Sequence, residues 1–192
     1  MILLFTANAK GQVLEPDSLR KMKVFYSISE GEDNPLEVYR LDLSKQKLKS
    51  LPDAIFQFPN LQELILDKNK LTALPTELGQ LVNLQILRAS QNEIDSIPPA
   101  LLELKNLRIL DLGDNLIEKI PNDIDHLVAL ESLILWDNPI EQYPSSLGDM
   151  ASLKFLDLLH NQISYDTRDR LKSLLPDTKI ITSEPCSCQD GE

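Results

Sequence analysis

The sequence predicts an α/β repeat solenoid, a stack of short strands alternating with short helical segments. Three observations carry that expectation. Leucine fills 37 of the 192 positions, far more than one ordinary core needs. The apolar residues recur with a period of 23 from Val38 to Leu153, and no insertion or deletion breaks the register. Each period splits into a half where apolar residues alternate and a half where they are three or four apart, the spacings of a strand and of a helical face. Composition sets the outer bounds. At 42% hydrophobic residues the chain is too apolar for disorder, and its longest apolar runs fall short of the ~20 residues needed to span a bilayer. Thirty acidic residues against 19 basic ones give a net charge of −11, which disfavours phosphate backbones and so nucleic-acid partners.

Taken in order, residues 1–37 form an amino-terminal flank and cap. Residues 1–9 pair an apolar run with Ala7-Asn8-Ala9, which fits a small-x-small signal-peptidase site. The run is short and lacks a basic start, so two expectations stand side by side: the end of an export signal, or the apolar terminus of a cytoplasmic protein. Residues 18–26 have mixed spacing and are expected to cover the first repeat. Ser29-Glu30-Gly31-Glu32-Asp33-Asn34-Pro35 reads as a turn or loop.

Residues 38–165 hold six 23-residue units. The first place of each is Val38, Leu61, Leu84, Leu107, Leu130 and Leu153, and the fourth is Leu41, Leu64, Leu87, Leu110, Leu133 and Leu156. The sixth is Leu43, Leu66, Ala89, Leu112, Leu135 and Leu158, so Leu41-Asp42-Leu43 and its successors put two apolar side chains on one face of a strand. The ninth place is Gln46, then Asn69, Asn92, Asn115, Asn138 and Asn161. A carboxamide carries donors and an acceptor and can satisfy backbone groups in adjacent buried turns, so this column is structural. Leu51-Pro52, Leu74-Pro75, Ile97-Pro98, Ile120-Pro121 and Tyr143-Pro144 open the second halves, where the proline fixes φ at a turn. Asp53, Thr76, Asn122 and Ser145 follow four of these prolines and are residue types that cap helices. No single unit can bury its own apolar face, so the stack needs both ends capped. Residues 166–182 are the carboxyl cap: a helix from Asp166-Thr167 with Leu171, Leu174 and Leu175 on one face, Pro176 as its stop, and Ile180-Ile181 as a last short strand. Residues 183–192 are a polar tail.

The pattern L-x-x-L-x-L-x-x-N-x-L resembles that of leucine-rich repeats from about Val38 to Ile163. With its L-P-x-x-L/I-x-x-L second half it is most similar to the 23-residue subtype of Ras-suppressor-like and Scribble-like proteins and of short bacterial repeat proteins. The resemblance implies a solenoid bent into an arc, with a parallel β-sheet on the concave face and short helical or 3-10 segments on the convex face, used for binding.

Sites for chemistry are scarce. Cys186 and Cys188 form a lone C-x-C, too few ligands for a metal site, and His126 and His160 fall on different faces of the coil. Cys188-Gln189-Asp190 superficially matches the C-x-D of bacterial repeat-protein ubiquitin ligases, but only two residues follow it, and the match is rejected. No phosphate loop, nucleophile elbow or zinc-protease motif is present, so no catalytic residue, metal or cofactor is expected.

With the leucines pointing inward, alternation assigns the outward positions. The third place gives Arg40, Glu63, Ile86, Ile109, Ser132 and Phe155; the fifth gives Asp42, Ile65, Arg88, Asp111, Ile134 and Asp157. The seventh gives Ser44, Asp67, Ser90, Gly113, Trp136 and Leu159, and the eighth passes from Lys45 and Lys68 to Asp114, Asp137 and His160. Ile109, Ile134, Trp136, Phe155 and Leu159 are expected to stand exposed and close together, rimmed by Arg88, Asp111, Asp137 and His160. That is the composition of a protein-binding hot spot, although the same rings could instead shield neighbouring turns. The expected function is a protein–protein interaction module, adaptor or scaffold, monomeric and non-enzymatic, with a protein partner on the concave face. The alternatives are an exported or surface-associated adhesion protein and a regulatory subunit of an enzyme.

Overall fold

The computed structural model describes residues 12–184. The suggested export signal and the two cysteines lie outside the described residues. Eight parallel strands follow one another in chain order in a single sheet. Six come from the repeats: β2 (Arg40–Asp42), β3 (Glu63–Ile65), β4 (Ile86–Arg88), β5 (Ile109–Asp111), β6 (Ser132–Ile134) and β7 (Phe155–Leu158). Their register advances by one period at each step, Leu41 beside Leu64, then Leu87, Leu110, Leu133 and Leu156. The leucines at places one, four and six and the apolar residues of the second halves form one continuous core, almost all without solvent contact. At about 1.5–3 kcal/mol for each fully buried aliphatic side chain, this core is the main stabilising term.

The outer face is built of single 3-10 turns: Asp53–Gln57, Thr76–Gln80, Pro99–Glu103, Ile124–His126 and Ser145–Asp149. Asp53, Thr76, Asn122 and Ser145 do not cap them. No side chain accepts from the first-turn N–H groups; the proline carbonyls do so instead, Pro52 from Ile55 N–H at 3.1 Å and Pro75 from Leu78 N–H at 3.1 Å. In a 3-10 turn the i→i+3 bond reaches back to the proline itself, so the next residue is already inside the turn and has no orphan donor to satisfy.

The asparagine column is a buried ladder. Asn115 Oδ1 accepts from Ile94 N–H at 3.0 Å, and its Nδ2 donates to Ala89 O and Leu112 O at 3.0 Å. Asn138 repeats the arrangement with Ile117 N–H, Leu112 O and Leu135 O. Asn69 and Asn92 do likewise, whereas Asn161 keeps its Leu135 bond but finds no partner for Oδ1 among the described residues. A second ladder, unforeseen from the sequence, runs along the outer flank. Asn60, Asn83 and Asn106 each donate to the carbonyl 24 residues earlier, at 2.7–2.9 Å, and Ser152 does so to Val128 O.

Each end carries a strand beyond the periodic units. At the amino side α1 (Pro16–Leu19) precedes β1 (Val24–Phe25), which pairs with β2 so that Phe25 stands in the leucine column. The turn or loop expected over residues 29–35 is a helical turn, α2 (Ser29–Glu32), followed by a 3-10 turn at Pro35–Glu37. Ser27 Oγ accepts from Glu30 N–H while the Glu30 carboxylate accepts from Tyr26 N–H, a reciprocal cap that fixes the turn. Gly31 packs there against Val38 and Phe58, and a Cβ would come within 2.6 Å of Val38. At the carboxyl side α3 (Tyr165–Leu174), capped by Ser164, buries Leu171 against the last unit, and β8 (Lys179–Thr182) closes the sheet beside β7.

Candidate functional site

The outward columns of the sheet make the concave face and carry its charges. Near the strand starts lie Arg40, Arg108 and Lys154 with Glu63 and Glu131; near the strand ends lie Asp42, Asp67, Asp111 and Asp157, with Arg88 beside Asp111. Arg40 pairs with Glu63 and also donates to Arg20 O at 3.0 Å. Arg108 and Lys154 share the Glu131 carboxylate, Lys154 at 2.7 Å. The Lys154 bond, then Arg108, hold Glu131 below the usual glutamate range. Three of the aspartates turn back on their own backbone: Asp42 accepts from Ser44 N–H, Asp111 from Gly113 N–H and Asp157 from Leu159 N–H. Burial pushes the Asp111 carboxyl above its ordinary value, Asp67 and Asp157 add to the rise, and the Gly113 N–H and Arg88 oppose it.

The amino-terminal arm runs along the strand-start edge. Leu14 N–H donates to Gln62 Oε1 at 2.8 Å, Gln62 Nε2 to Gln12 O at 2.9 Å, and Gln85 Nε2 to Leu14 O at 2.8 Å. Both glutamines are buried. The arm leads into α1, and α1 with the sheet beneath it encloses an open groove of about 460 Å³. Ile86, Ile109 and Phe155 line it, with Arg20, Arg40, Arg88, Arg108 and Lys154 against Glu63 and Glu131.

The residues expected to form one exposed patch divide between two places. Ile109, Phe155 and Arg88 line the groove, whereas Ile134, Trp136 and Leu159 lie outside it toward the strand ends. All five apolar side chains are half-buried rather than exposed. Trp136 lies over Gly113, where a Cβ would sit 2.1 Å from its indole nitrogen, so a glycine is required for the ring to lie flat. Ile134 stands between Asp111 and Asp157 on neighbouring strands. Asp137 and His160 do not stand on the sheet. They share the eighth column with Lys45, Lys68, Gln91 and Asp114, whose φ values of 52–62° place them in the left-handed turn that leaves each strand and aims the asparagine inward. That column's run from basic to acidic therefore lies along the rim. Asp137, His160 and Asp114 border a separate shallow depression there.

Sequence reasoning missed the second column, Tyr39, Gln62, Gln85, Arg108, Glu131 and Lys154. It holds the arm at one end and the Arg108–Glu131–Lys154 cluster at the other. The signal was available: polar residues recur at a place directly beside the buried first column. Among the described residues no group of His, Cys, Asp and Glu converges as a metal site, and no helix is long and apolar enough to cross a membrane.

The leucine-rich-repeat family model matches residues 37–94 and 83–140. The chain belongs to the leucine-rich-repeat family. Among solved structures it is similar to a leucine-rich-repeat protein of Leptospira interrogans, with 31% identity over 85% of this chain and a TM-score of 0.67. It is also similar to internalin C2 of Listeria monocytogenes, with 28% identity over 78% of this chain and a TM-score of 0.66. A third likeness is to the ectodomain of the plant membrane receptor kinase GASSHO1/SCHENGEN3 of Arabidopsis thaliana, solved in complex with CASPARIAN STRIP INTEGRITY FACTOR 2. There the identity is 30% over 67% of this chain, with a TM-score of 0.57. The chain spans 49%, 63% and 16% of those three chains respectively. A comparison with curated proteins returned no match. Leucine-rich repeats are in general protein–protein interaction modules, and this chain has their fold.

Proposed function

We propose that this protein is a non-catalytic binding module that holds a protein partner on the concave face of its sheet. The observation that carries the reading is the groove beneath α1, where half-buried Ile86, Ile109 and Phe155 stand among charged side chains. Apolar anchors rimmed by charge are what a specific interface requires. The Leptospira and Listeria proteins support the repeat scaffold, and the receptor-kinase ectodomain in complex with CASPARIAN STRIP INTEGRITY FACTOR 2 supports a role in recognition. Ile134, Trp136 and Leu159 extend the contact surface toward the strand ends. The test is affinity capture with the intact protein from its native source. Wild type should retain a partner that the double variant Ile109→Asp/Phe155→Asp, folded by circular dichroism, does not. Equal retention by both would place binding elsewhere on the molecule.

A further inference from the structure

We infer that the groove beneath α1 takes a short extended peptide of the partner in which an acidic side chain stands beside an aliphatic or aromatic one. The inference rests on the concave-face reading above and adds the chemistry of the ligand. The chain as a whole is strongly acidic, with 30 carboxylate residues against 19 basic ones, yet five cations line this groove against two carboxylates. The surplus is not absorbed by neighbours. Arg108 and Lys154 have one carboxylate between them, and the Arg20–Asp17 pair is fully in solvent, where such pairs contribute little. Arg88 is exposed and makes no ion pair among the described residues, although Asp111 on the next strand feels its charge.

A ligand carboxylate reaching Arg88 would meet a guanidinium fork free for two hydrogen bonds. Arg88 lies one strand from Ile109, and adjacent strands are ~4.8 Å apart, so an apolar side chain next to the carboxylate falls on Ile86 and Ile109. The volume of about 460 Å³ suits a few side chains and not a folded domain. The groove edge already holds main chain: Gln62 and Gln85 bond the peptide groups of Gln12 and Leu14. A basic peptide is the opposing possibility, since Asp67, Asp111 and Asp157 line the strand ends, but those carboxylates lie outside the groove, and Asp111 and Asp157 bond to their own backbone.

The test is selection of a random heptapeptide display library on the full protein. The enriched sequences should pair Asp or Glu with Leu, Ile or Phe. A synthetic peptide of that sequence should bind at least about tenfold more weakly to Arg88→Glu, and more weakly as salt is raised. Arg88 is exposed and unpaired, so that variant keeps the wild-type fold, checked by its melting temperature. Enriched peptides that are neutral or basic, indifferent to Arg88→Glu yet lost on Phe155→Asp, overturn the acidic ligand and leave the concave face standing. Peptides indifferent to both variants overturn both readings. Failure to enrich any sequence overturns the short-peptide inference, while capture of a folded partner still decides the broader one.

Discussion

Two ladders of side-chain hydrogen bonds run along this solenoid with the same rhythm, one inside and one outside. Asn69, Asn92, Asn115 and Asn138 each join backbone groups of two adjacent coils through three or more bonds, at positions largely closed to water. Asn60, Asn83, Asn106 and Ser152 each make one bond, in the open. The outer ladder is interrupted at Ala129, and the sheet register passes that point unchanged. Equal chemistry thus carries unequal weight: a backbone N–H stranded in the core has no substitute partner, and a group stranded outside is rehydrated.

The largest effect sets the scale. Leu110→Ala, without solvent exposure, should cost about 2–5 kcal/mol in a denaturant titration, because its neighbours on both adjacent strands cannot collapse into the void. Asn115→Ala strands Ile94 N–H, while Ala89 O and Leu112 O keep their bonds from Asn92 and Asn138, and should cost about 1–3 kcal/mol by the same measurement; a cost under about 1 kcal/mol would mean that water enters the ladder. Trp136 is the intermediate case, half-buried over Gly113. Trp136→Ala should lower partner affinity by about 2 kcal/mol while the fold loses less than in Leu110→Ala; equal loss of fold would make the ring packing alone. Asn83→Ala on the outer ladder should cost only about 0.5 kcal/mol.

The smallest effects are those of pH, and they divide along the same line of burial against partners. Asp111 has its carboxyl raised chiefly by burial, so ionising it opposes folding. Its contribution to stability improves as pH falls through the folded value toward the ordinary 3.8, and Asp111→Asn should remove that gain. Glu131 is lowered, first by Lys154, so its contribution is complete above the ordinary 4.5 and is lost as pH falls through the folded value; Glu131→Gln should flatten that loss. Denaturant midpoints from about pH 3 to about pH 7 should therefore move in opposite senses for the two variants.

The interior was legible because it repeats. Leucines at fixed places had to share one face of a strand, and the Asn column had to satisfy backbone, so strands, register and inner ladder followed from spacing. What escaped was set by geometry that leaves no residue signature. Lys45, Gln91, Asp114 and His160 share only polarity, which most surface positions also have, yet all occupy the same left-handed turn. β1 was hidden because Val24 precedes its partner Arg40 by 16 residues, not 23. The apolar patch was read as one surface because alternation gives the face a side chain points to, but not how far α1 covers that face. The arm's partners, Gln62 and Gln85, lie 48 to 71 residues away along the chain, beyond any periodic argument.

Those separations also bear on the order in which the molecule assembles. Leu14 can be held only once Gln62 and Gln85 stand side by side, and their own contact at 2.9 Å requires the second and third repeats to have stacked. The segment made early is therefore fixed late, after a loop of dozens of residues has closed. The groove is completed by a piece whose release leaves every sheet pairing of the repeats intact. Its opening is a local event with its own, smaller free energy, and amide exchange at Leu14 should run ahead of exchange at Leu110.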